Sequence, residues 1–158
     1  YRDLRLSSLK TDPDAFVSTY EEENQRPEIF FYNRLQYSTK EPAFGYYVYF
    51  QNDHPIAYAQ LGFDYYPKKS HLGYLYELYV LPDYRRQGIA QSLIQHIIAK
   101  ASQNPTLEQL LLKVCANNTP AINLYQIHGF RLLATQDNAI KDITNKYYAE
   151  LTYSLNLT

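Results

Sequence analysis

Hydrophobic residues recur along the chain at two spacings, one typical of helices and one typical of strands. Over Ile89 to Ser102 they return every three or four positions, which predicts an amphipathic helix that Asn104-Pro105 ends. Leu107 to Cys115 is almost continuously apolar toward its end, as a central strand buried on both faces would be. Alternating or β-branched and aromatic runs predict further strands at Arg2 to Leu6, Phe44 to Gln51, Ile56 to Phe63, Leu72 to Leu81, Phe130 to Thr135 and Tyr147 to Leu155.

Capping and proline signals place the remaining helices. Asp12-Pro13 provides an N-cap followed by a proline, and the helix predicted after it carries the acidic run Glu21 to Glu23 on a solvated face. Further helices are predicted over Glu28 to Leu35 and Thr119 to Ile127. The order β-α-α-β-β-β-α-β-α-β-β, with about seven strands and four helices, predicts an α/β (α+β) fold. A length of 158 residues predicts one domain over residues 1–158.

The turn from Val80 to Ala90 carries the most informative chemistry. It joins a predicted strand to a predicted helix and contains Arg85, Arg86 and Gly88. Helix N-termini present unpaired N–H groups and partial positive charge, glycine lets an anion approach the backbone, and arginine adds charged donors. The turn therefore predicts a phosphate site. The dinucleotide fingerprint and the P-loop are both excluded, because the required glycines and Gly-Lys-Ser/Thr are missing.

Two motifs in this order resemble those of the GNAT acetyltransferase superfamily. The first is Arg85-x-x-Gly88-x-Ala90, after a strand that ends in Val80-x-Pro82. The second is Asn118-x-x-Ala121-x-x-Leu124-Tyr125, followed by Gly129-Phe130. The resemblance covers about Leu72 to Leu133. It implies a mixed, mostly antiparallel twisted sheet whose central parallel pair separates at the cofactor site.

The resemblance also implies acetyl-CoA as co-substrate and a set of contacts to it. Backbone groups of Leu78, Tyr79 and Val80 would pair with pantetheine in the manner of an added strand. The remaining cofactor-binding positions are Arg85, Arg86, Gln87, Gly88, Ile89, Ala90 and Gln91 around the pyrophosphate, with Asn118 and Tyr125. Asn118 is equally suited to cap the helix that begins at Thr119.

Tyr125 and Glu77 are the predicted catalytic residues. The resemblance places Tyr125 near the CoA sulfur, where its hydroxyl would stabilise the developing thiolate. Glu77 is the only acid in its predicted strand and is predicted to share a face with Leu75 and Tyr79. Burial against these apolar neighbours is expected to raise its pKa toward that of a useful base. A chain of water molecules is the alternative base. Some family branches that modify protein N-termini carry an acid where this chain has Lys113, which argues against that branch.

Composition narrows the partners. The formal charge is −1, so no concentrated basic field favours nucleic acid or a membrane surface. A single cysteine, Cys115, and no apparent leader or long apolar run predict a cytoplasmic protein. The four histidines show no metal-ligand spacing, so no metal is expected. Whether two copies form a homodimer stays open.

The acceptor is predicted from a wall that is both acidic and aromatic, made of residues 21–37 and Asp64-Tyr65-Tyr66. Carboxylates and aromatic faces attract cationic amines, which favours a small primary amine or polyamine. A peptide or protein amine ranks second and an aminoglycoside third. A non-catalytic acyl-CoA-binding module and an unrelated phosphate-binding domain are the alternatives to an enzyme. The presence of Tyr125 argues against a module that only binds.

Overall fold

The computed structural model describes residues 1–36 and 45–157. Phe44 and Tyr37, which belong to the predicted second strand and acceptor wall, lie outside these residues. The five helices are α1 (Arg2–Thr11), α2 (Tyr20–Asn24), α3 (Glu28–Gln36), α4 (Ile89–Ser102) and α5 (Thr119–Ile127). The six strands are β1 (Gly45–Gln51), β2 (His54–Phe63), β3 (Leu72–Val80), β4 (Gln109–Cys115), β5 (Arg131–Lys141) and β6 (Tyr147–Asn156).

The strands form one mixed sheet in the order β1-β2-β3-β4-β6-β5. Within the described residues β3 and β4 are the parallel pair, and every other neighbouring pair is antiparallel. The predicted α/β fold with a central parallel pair is therefore confirmed. The described chain has six strands and five helices where about seven and four were expected, because the first predicted strand is a helix.

Prediction was wrong at the start of the chain. Arg2 to Leu6, expected as a strand, forms the first half of α1, which buries Leu4, Arg5, Ser8 and Leu9 on one helical face. A five-residue alternation fits both periods, so it could not distinguish them. Asp12-Pro13 opens only a 3₁₀ turn, Pro13–Ala15. The next helix begins at Tyr20, where the Thr19 side chain accepts a hydrogen bond from Glu22 N at 3.3 Å.

Helices cover both faces of the sheet. Ile94 and Ile97 of α4 and Tyr125 of α5 pack against Leu110 and Leu112 of β4 in one buried cluster. On the opposite face, Leu4 of α1 packs against Tyr58 and Tyr79. None of the helices among the described residues is long and apolar enough to cross a bilayer.

A β-bulge interrupts β3 at Glu77. Tyr76 pairs with Gln60 and Tyr79 with Tyr58, so Glu77 and Leu78 together face one residue of β2. Glu77 has a φ of 56°, in the left-handed region that a non-glycine residue seldom adopts. Because the bulge adds one residue, Leu75 and Tyr79 lie on opposite faces of the sheet, in different buried clusters. The predicted shared face of Leu75, Glu77 and Tyr79 is therefore wrong.

Candidate active site

The parallel strands β3 and β4 separate soon after they meet. Their pairing runs from Leu72 opposite Gln109 to Tyr74 opposite Leu111 and goes no further. β3 nevertheless continues to Val80 and β4 to Cys115. The predicted opening between the central parallel strands is confirmed. Ligands of open α/β sheets bind at such openings, beyond the carboxyl ends of the strands.

The far end of β3 presents to this opening backbone groups that no described strand pairs with, although Val80 O accepts a bond from the Arg85 side chain. Leu81 N donates to Ile56 O of β2 at 2.9 Å. Since backbone groups point alternately to the two sides of a strand, those of Tyr79 face β2, and those of Leu78 and Val80 face the opening. Two of the three residues predicted to pair with pantetheine thus have the required direction.

The turn before α4 has the backbone of an anion cradle. Gly88 adopts a φ of 80° and Arg86 a φ of 58°. The first helical bond joins Ser92 N to Gly88 O, and no side chain caps the helix, so the preceding amides of Ile89 to Gln91 are left to an outside acceptor. A Cβ added to Gly88 would meet no atom within 4 Å. The cradle therefore fits a pyrophosphate both in its donors and in its open space.

The two arginines of this turn differ in their surroundings. Arg85 Nε donates to Val80 O at 3.0 Å, and its guanidinium forms an ion pair with Asp12 at the end of α1. The same guanidinium lies 5.7 Å from the centre of the Tyr79 ring. Arg86 forms no ion pair with any residue that the structure describes. The two arginines predicted to bind the pyrophosphate therefore differ. Arg86 has no charged partner among the described residues, whereas Arg85 is bonded to Asp12 and Val80.

A cavity of about 490 Å³ passes through the opening in the sheet. Residues from both faces line it, because Leu75 and Tyr125 belong to the face under α4 and α5, whereas Arg5 belongs to α1. The 3₁₀ turn and the residues after it, Asp14 to Ser18, form a further wall. Both predicted catalytic residues, Glu77 and Tyr125, line this cavity.

Tyr125 is buried, with 8% of its surface exposed. Its ring packs edge-on against that of Phe130, with 5.9 Å between the ring centroids. Burial raises the pKa of its hydroxyl to about 12. A phenol that holds its proton so firmly acts as a hydrogen-bond donor over the whole physiological pH range.

Glu77 lies in an ionic network rather than among apolar groups as predicted. Its carboxylate forms ion pairs with Arg34, and with Arg5 at 3.8 Å, and accepts a hydrogen bond from the Tyr46 hydroxyl at 3.0 Å. Arg34 Nε also donates to the Tyr46 oxygen at 3.2 Å. Sequence reasoning missed Arg5, Arg34 and Tyr46. They come from α1, α3 and β1, and no local motif links them.

Glu23 was predicted to lie on a solvated helix face, and that prediction is wrong. Its side chain is 3% exposed and accepts two hydrogen bonds from Arg5, at 2.9 Å and 2.6 Å. Burial alone would raise the pKa of Glu23, but the bonds from Arg5, with help from Ser18 and Arg34, outweigh burial and lower it. This carboxylate belongs to the buried support of the site and is not presented to solvent.

Asn118 caps α5, as predicted, because its side-chain oxygen accepts from Ala121 N at 3.2 Å. That bond leaves its amide nitrogen to donate into the cavity that Asn118 lines. Lys113, at the position where some relatives carry an acid, pairs instead with Glu150 at 2.6 Å. Among the described residues no cluster of three His, Cys, Asp or Glu is arranged to hold a metal ion.

The opening between the parallel strands lies next to an anion cradle at a helix N-terminus, and both features suit a ligand that carries a phosphate group. The chain belongs to the acetyltransferase (GNAT) family, whose sequence profile matches residues 9–130.

Solved structures share this fold over almost the whole chain. An acetyltransferase of the GNAT family from Streptococcus pneumoniae superimposes with a TM-score of 0.76 at 24% identity and covers 99% of this chain and 90% of its own. YncA from Salmonella typhimurium, solved with its cofactor acetyl-CoA, has a TM-score of 0.78 at 14% identity. It covers 99% of this chain and 86% of its own.

Curated relatives match over a shorter stretch. N-alpha-acetyltransferase 50 of Danio rerio is 33% identical over 70 residues, which is 44% of this chain and 42% of that protein. The ribosomal protein bS18-alanine N-acetyltransferase of Escherichia coli K12 is 39% identical over 56 residues, 35% of this chain and 37% of that protein. The chain thus spans less than half the length of the curated relatives it matches.

Proposed function

We propose that this protein transfers the acetyl group of acetyl-CoA to a primary amine. The observation that carries the proposal is the cavity through the sheet opening, because it brings the free edge of β3, Asn118, Tyr125 and Glu77 around one space. Membership of the acetyltransferase (GNAT) family supports the same chemistry.

Acetyl-CoA would be held by two parts of the chain. The backbone groups of Leu78 and the N–H of Val80 suit the amides of pantetheine, as an added strand would, while Val80 O is held by Arg85. The amides from Arg86 to Gln91 and the Arg86 guanidinium suit the pyrophosphate. Asn118, whose side-chain oxygen is bonded to Ala121 N, would offer its amide nitrogen to acetyl-CoA from the cavity wall.

In the transfer itself, the amine nitrogen bonds to the acetyl carbon, the carbon–sulfur bond breaks, and the amine loses a proton. We assign to Tyr125 the hydrogen bond that stabilises the thiolate as it leaves. Full proton transfer from a phenol of pKa about 12 to a thiolate whose thiol has a pKa near 8.5 is uphill by about 5 kcal/mol. Tyr125 therefore acts by donating a hydrogen bond, and the thiolate leaves with its charge.

Glu77 is the proposed acceptor of the proton that the amine loses, and a chain of water molecules is the alternative, because Arg34 and Arg5 already stabilise the ionised form of this carboxylate. An alkyl ammonium with pKa about 10.4 is only on the order of 0.04% neutral at pH 7. Forming the neutral amine therefore costs roughly 4–5 kcal/mol, which a proton acceptor must offset. Arg34 and Tyr46 fix the Glu77 carboxylate at the cavity wall, and the left-handed backbone of the bulge aims it there. The proton reaches it directly or through one water molecule.

The structure weakens the argument for a polyamine. That argument needed a wall of free carboxylates, but Glu23 is paired with Arg5, Glu22 with Arg26 and Asp64 with Lys69. A second cavity of about 320 Å³, lined by Tyr46, Phe63 and Tyr65, shares Gln60 and Tyr76 with the first. The two cavities adjoin at Gln60 and Tyr76, so together they offer an acceptor more room than either cavity alone. We therefore propose a peptide or protein amine as acceptor ahead of a small amine or polyamine.

The test combines binding and turnover. Titration calorimetry with acetyl-CoA and desulfo-CoA measures cofactor binding. Thiol release is then measured with a peptide bearing a free N-terminus, an N-blocked lysine peptide, spermidine and an aminoglycoside, each at two ionic strengths. We expect turnover on a peptide with weak salt dependence. Fast, salt-sensitive turnover of spermidine alone would overturn the acceptor assignment, and tight binding without thiol release from any amine would overturn the enzymatic one.

A further inference from the structure

Arg85 joins two loops that lie far apart in sequence. We define the cofactor loop as residues 85–91 and the acceptor loop as residues 12–18. The Arg85 guanidinium forms an ion pair with Asp12, the first residue of the acceptor loop, while its Nε holds Val80 O at the end of β3. One side chain thus touches the strand edge proposed for pantetheine, the cofactor loop and the acceptor loop.

Asp12 is itself held firmly. The Thr11 hydroxyl donates to Asp12 Oδ2 at 2.7 Å and lies 3.0 Å from the Tyr79 hydroxyl. Immediately after Asp12, Pro13 begins the 3₁₀ turn, where the proline ring fixes φ. Because the turn is short and stiff, the position of Asp12 sets that of the cavity wall from Asp14 to Ser18.

A third cavity lies beside the acceptor loop. It measures about 280 Å³ and lies between residues 11–15 of the acceptor side and Asn117, Asn118 and Pro120 at the start of α5. Asp14, Ala15 and Asn118 line both this cavity and the transfer cavity. Asp12 therefore stands beside the route that connects the proposed cofactor contacts to the transfer site.

We propose that Arg85 and Asp12 are positioning residues that couple cofactor binding to the shape of the acceptor loop. The inference rests on the proposed function of the cofactor loop. Two donor groups of Arg85, Nε and one terminal nitrogen, are already directed to Val80 O and Asp12. We therefore assign the main pyrophosphate contact to Arg86 and the loop amides. Occupation of the cofactor loop and of the β3 edge fixes Arg85, which fixes Asp12 and so orders residues 13–18 before the acceptor arrives.

The ion pair is partly exposed, at 39% for the Arg85 side chain and 29% for Asp12, so the coupling is modest. We expect it to change exchange rates in the acceptor loop by about two- to fivefold, the range of a partly exposed charge pair.

Hydrogen–deuterium exchange with and without CoA tests the coupling without any acceptor. In the wild-type protein we expect CoA to slow exchange in both loops. In Asp12→Asn, which keeps the side-chain shape, and in Arg85→Gln, we expect protection of the cofactor loop alone. Asp3→Asn, at an exposed position of the same helix, should behave as wild type. Protection of residues 13–18 that persists in Asp12→Asn would overturn the proposal.

Calorimetry with CoA tests the coupling through Arg85 and Asp12 separately from the proposed binding of acetyl-CoA. Arg86→Gln should weaken CoA binding and reduce its salt dependence, whereas Asp12→Asn should leave CoA affinity within about fivefold of wild type. The CoA affinity of the double variant Asp12→Asn/Arg85→Gln should be no lower than that of the weaker-binding single variant, because both changes break the same ion pair between Arg85 and Asp12. If the wild-type protein binds no CoA, the proposed function fails. If CoA binds and the double variant shows additive losses, the coupling alone fails.

Discussion

Arg5 and Glu23 form a bidentate ion pair in which each side chain is only 3% exposed. The pair joins α1 to α2 beneath the transfer cavity, and Arg34 reaches Glu23 from α3 at 3.6 Å. Two charges removed from water in this way depend on each other, because the next charged partners, Glu77 for Arg5 and Arg34 for Glu23, lie further away at 3.8 Å and 3.6 Å.

We expect Glu23→Gln to reduce the free energy of unfolding by about 3 kcal/mol, because the buried Arg5 guanidinium loses its nearest counter-charge and keeps only Glu77, at 3.8 Å. Urea denaturation measures the effect. Glu22→Gln is the matched control, since Glu22 is 57% exposed and its pair with Arg26 lies at the surface, where the change should stay within about 0.5 kcal/mol. Equal losses in the two variants would contradict the buried role of Glu23.

The same pair predicts sensitivity to acid. The pKa of Glu23 is lowered in the folded protein, so its contribution is complete above the unfolded value near 4.3 and is lost as pH falls through the folded value. Unfolding curves recorded from pH 6 to pH 3 should show a steeper loss for the wild-type protein than for Glu23→Gln. Parallel curves would show that Glu23 takes no part in acid unfolding.

Three tyrosines with raised pKa values predict sensitivity to alkali. Burial raises the pKa of Tyr46, Tyr58 and Tyr125 from 10.0 to about 12. Their protonated forms stabilise the fold fully below pH 10, and that stability is lost as pH rises from about 10 to about 12. Tyr125→Phe should reduce the slope of stability against pH by about 1.4 kcal/mol per unit. Tyr66→Phe, at a tyrosine that is 71% exposed, serves as control.

Tyr125→Phe also tests the chemistry. We expect turnover to fall by roughly ten- to a thousandfold with little change in acetyl-CoA affinity, because the lost hydroxyl acts only as the thiolate leaves. Pre-steady-state thiol release, which isolates the chemical step, measures the effect. An unchanged rate for that step would remove Tyr125 from the mechanism.

Gly88→Glu tests the cofactor loop. At a φ of 80° any side chain strains the backbone by about 1–2 kcal/mol, and a carboxylate would also repel the pyrophosphate. We expect Gly88→Glu to abolish acetyl-CoA binding in calorimetry, while Gly88→Ala shows a similar loss of stability with binding only weakened. Wild-type affinity in a folded Gly88→Glu protein would place the site elsewhere.

Sequence predicted best where one periodicity extends over several turns or where a motif is local. The bounds of α4 and α5 are those predicted, because apolar spacing and proline or asparagine signals agree there. The Asn118 cap and the left-handed Gly88 follow from chemistry within a few residues of each.

The remainder of the site depends on contacts between distant segments. Glu23 was expected to face solvent because charged residues are seldom buried unless paired, and its partner Arg5 lies on another helix. Arg34 and Tyr46 reach Glu77 from α3 and β1, a meeting that no pattern within any one segment records. The identity of Glu77 as a cavity residue was nevertheless visible, since it is the only acid in its strand.

The bulge in β3 acts as a change of phase in the alternation of its side chains. Before it, odd-numbered Leu75 packs toward α4; after it, even-numbered Val80 does so, and Tyr79 turns to α1. Deleting Glu77 would restore a regular ladder, because Leu78 would then face Ala59 while Tyr79 stays opposite Tyr58 and Val80 opposite Ala57. The bulge thus lets β3 carry one carboxylate more than its ladder has places for, without moving any packed side chain to the other face.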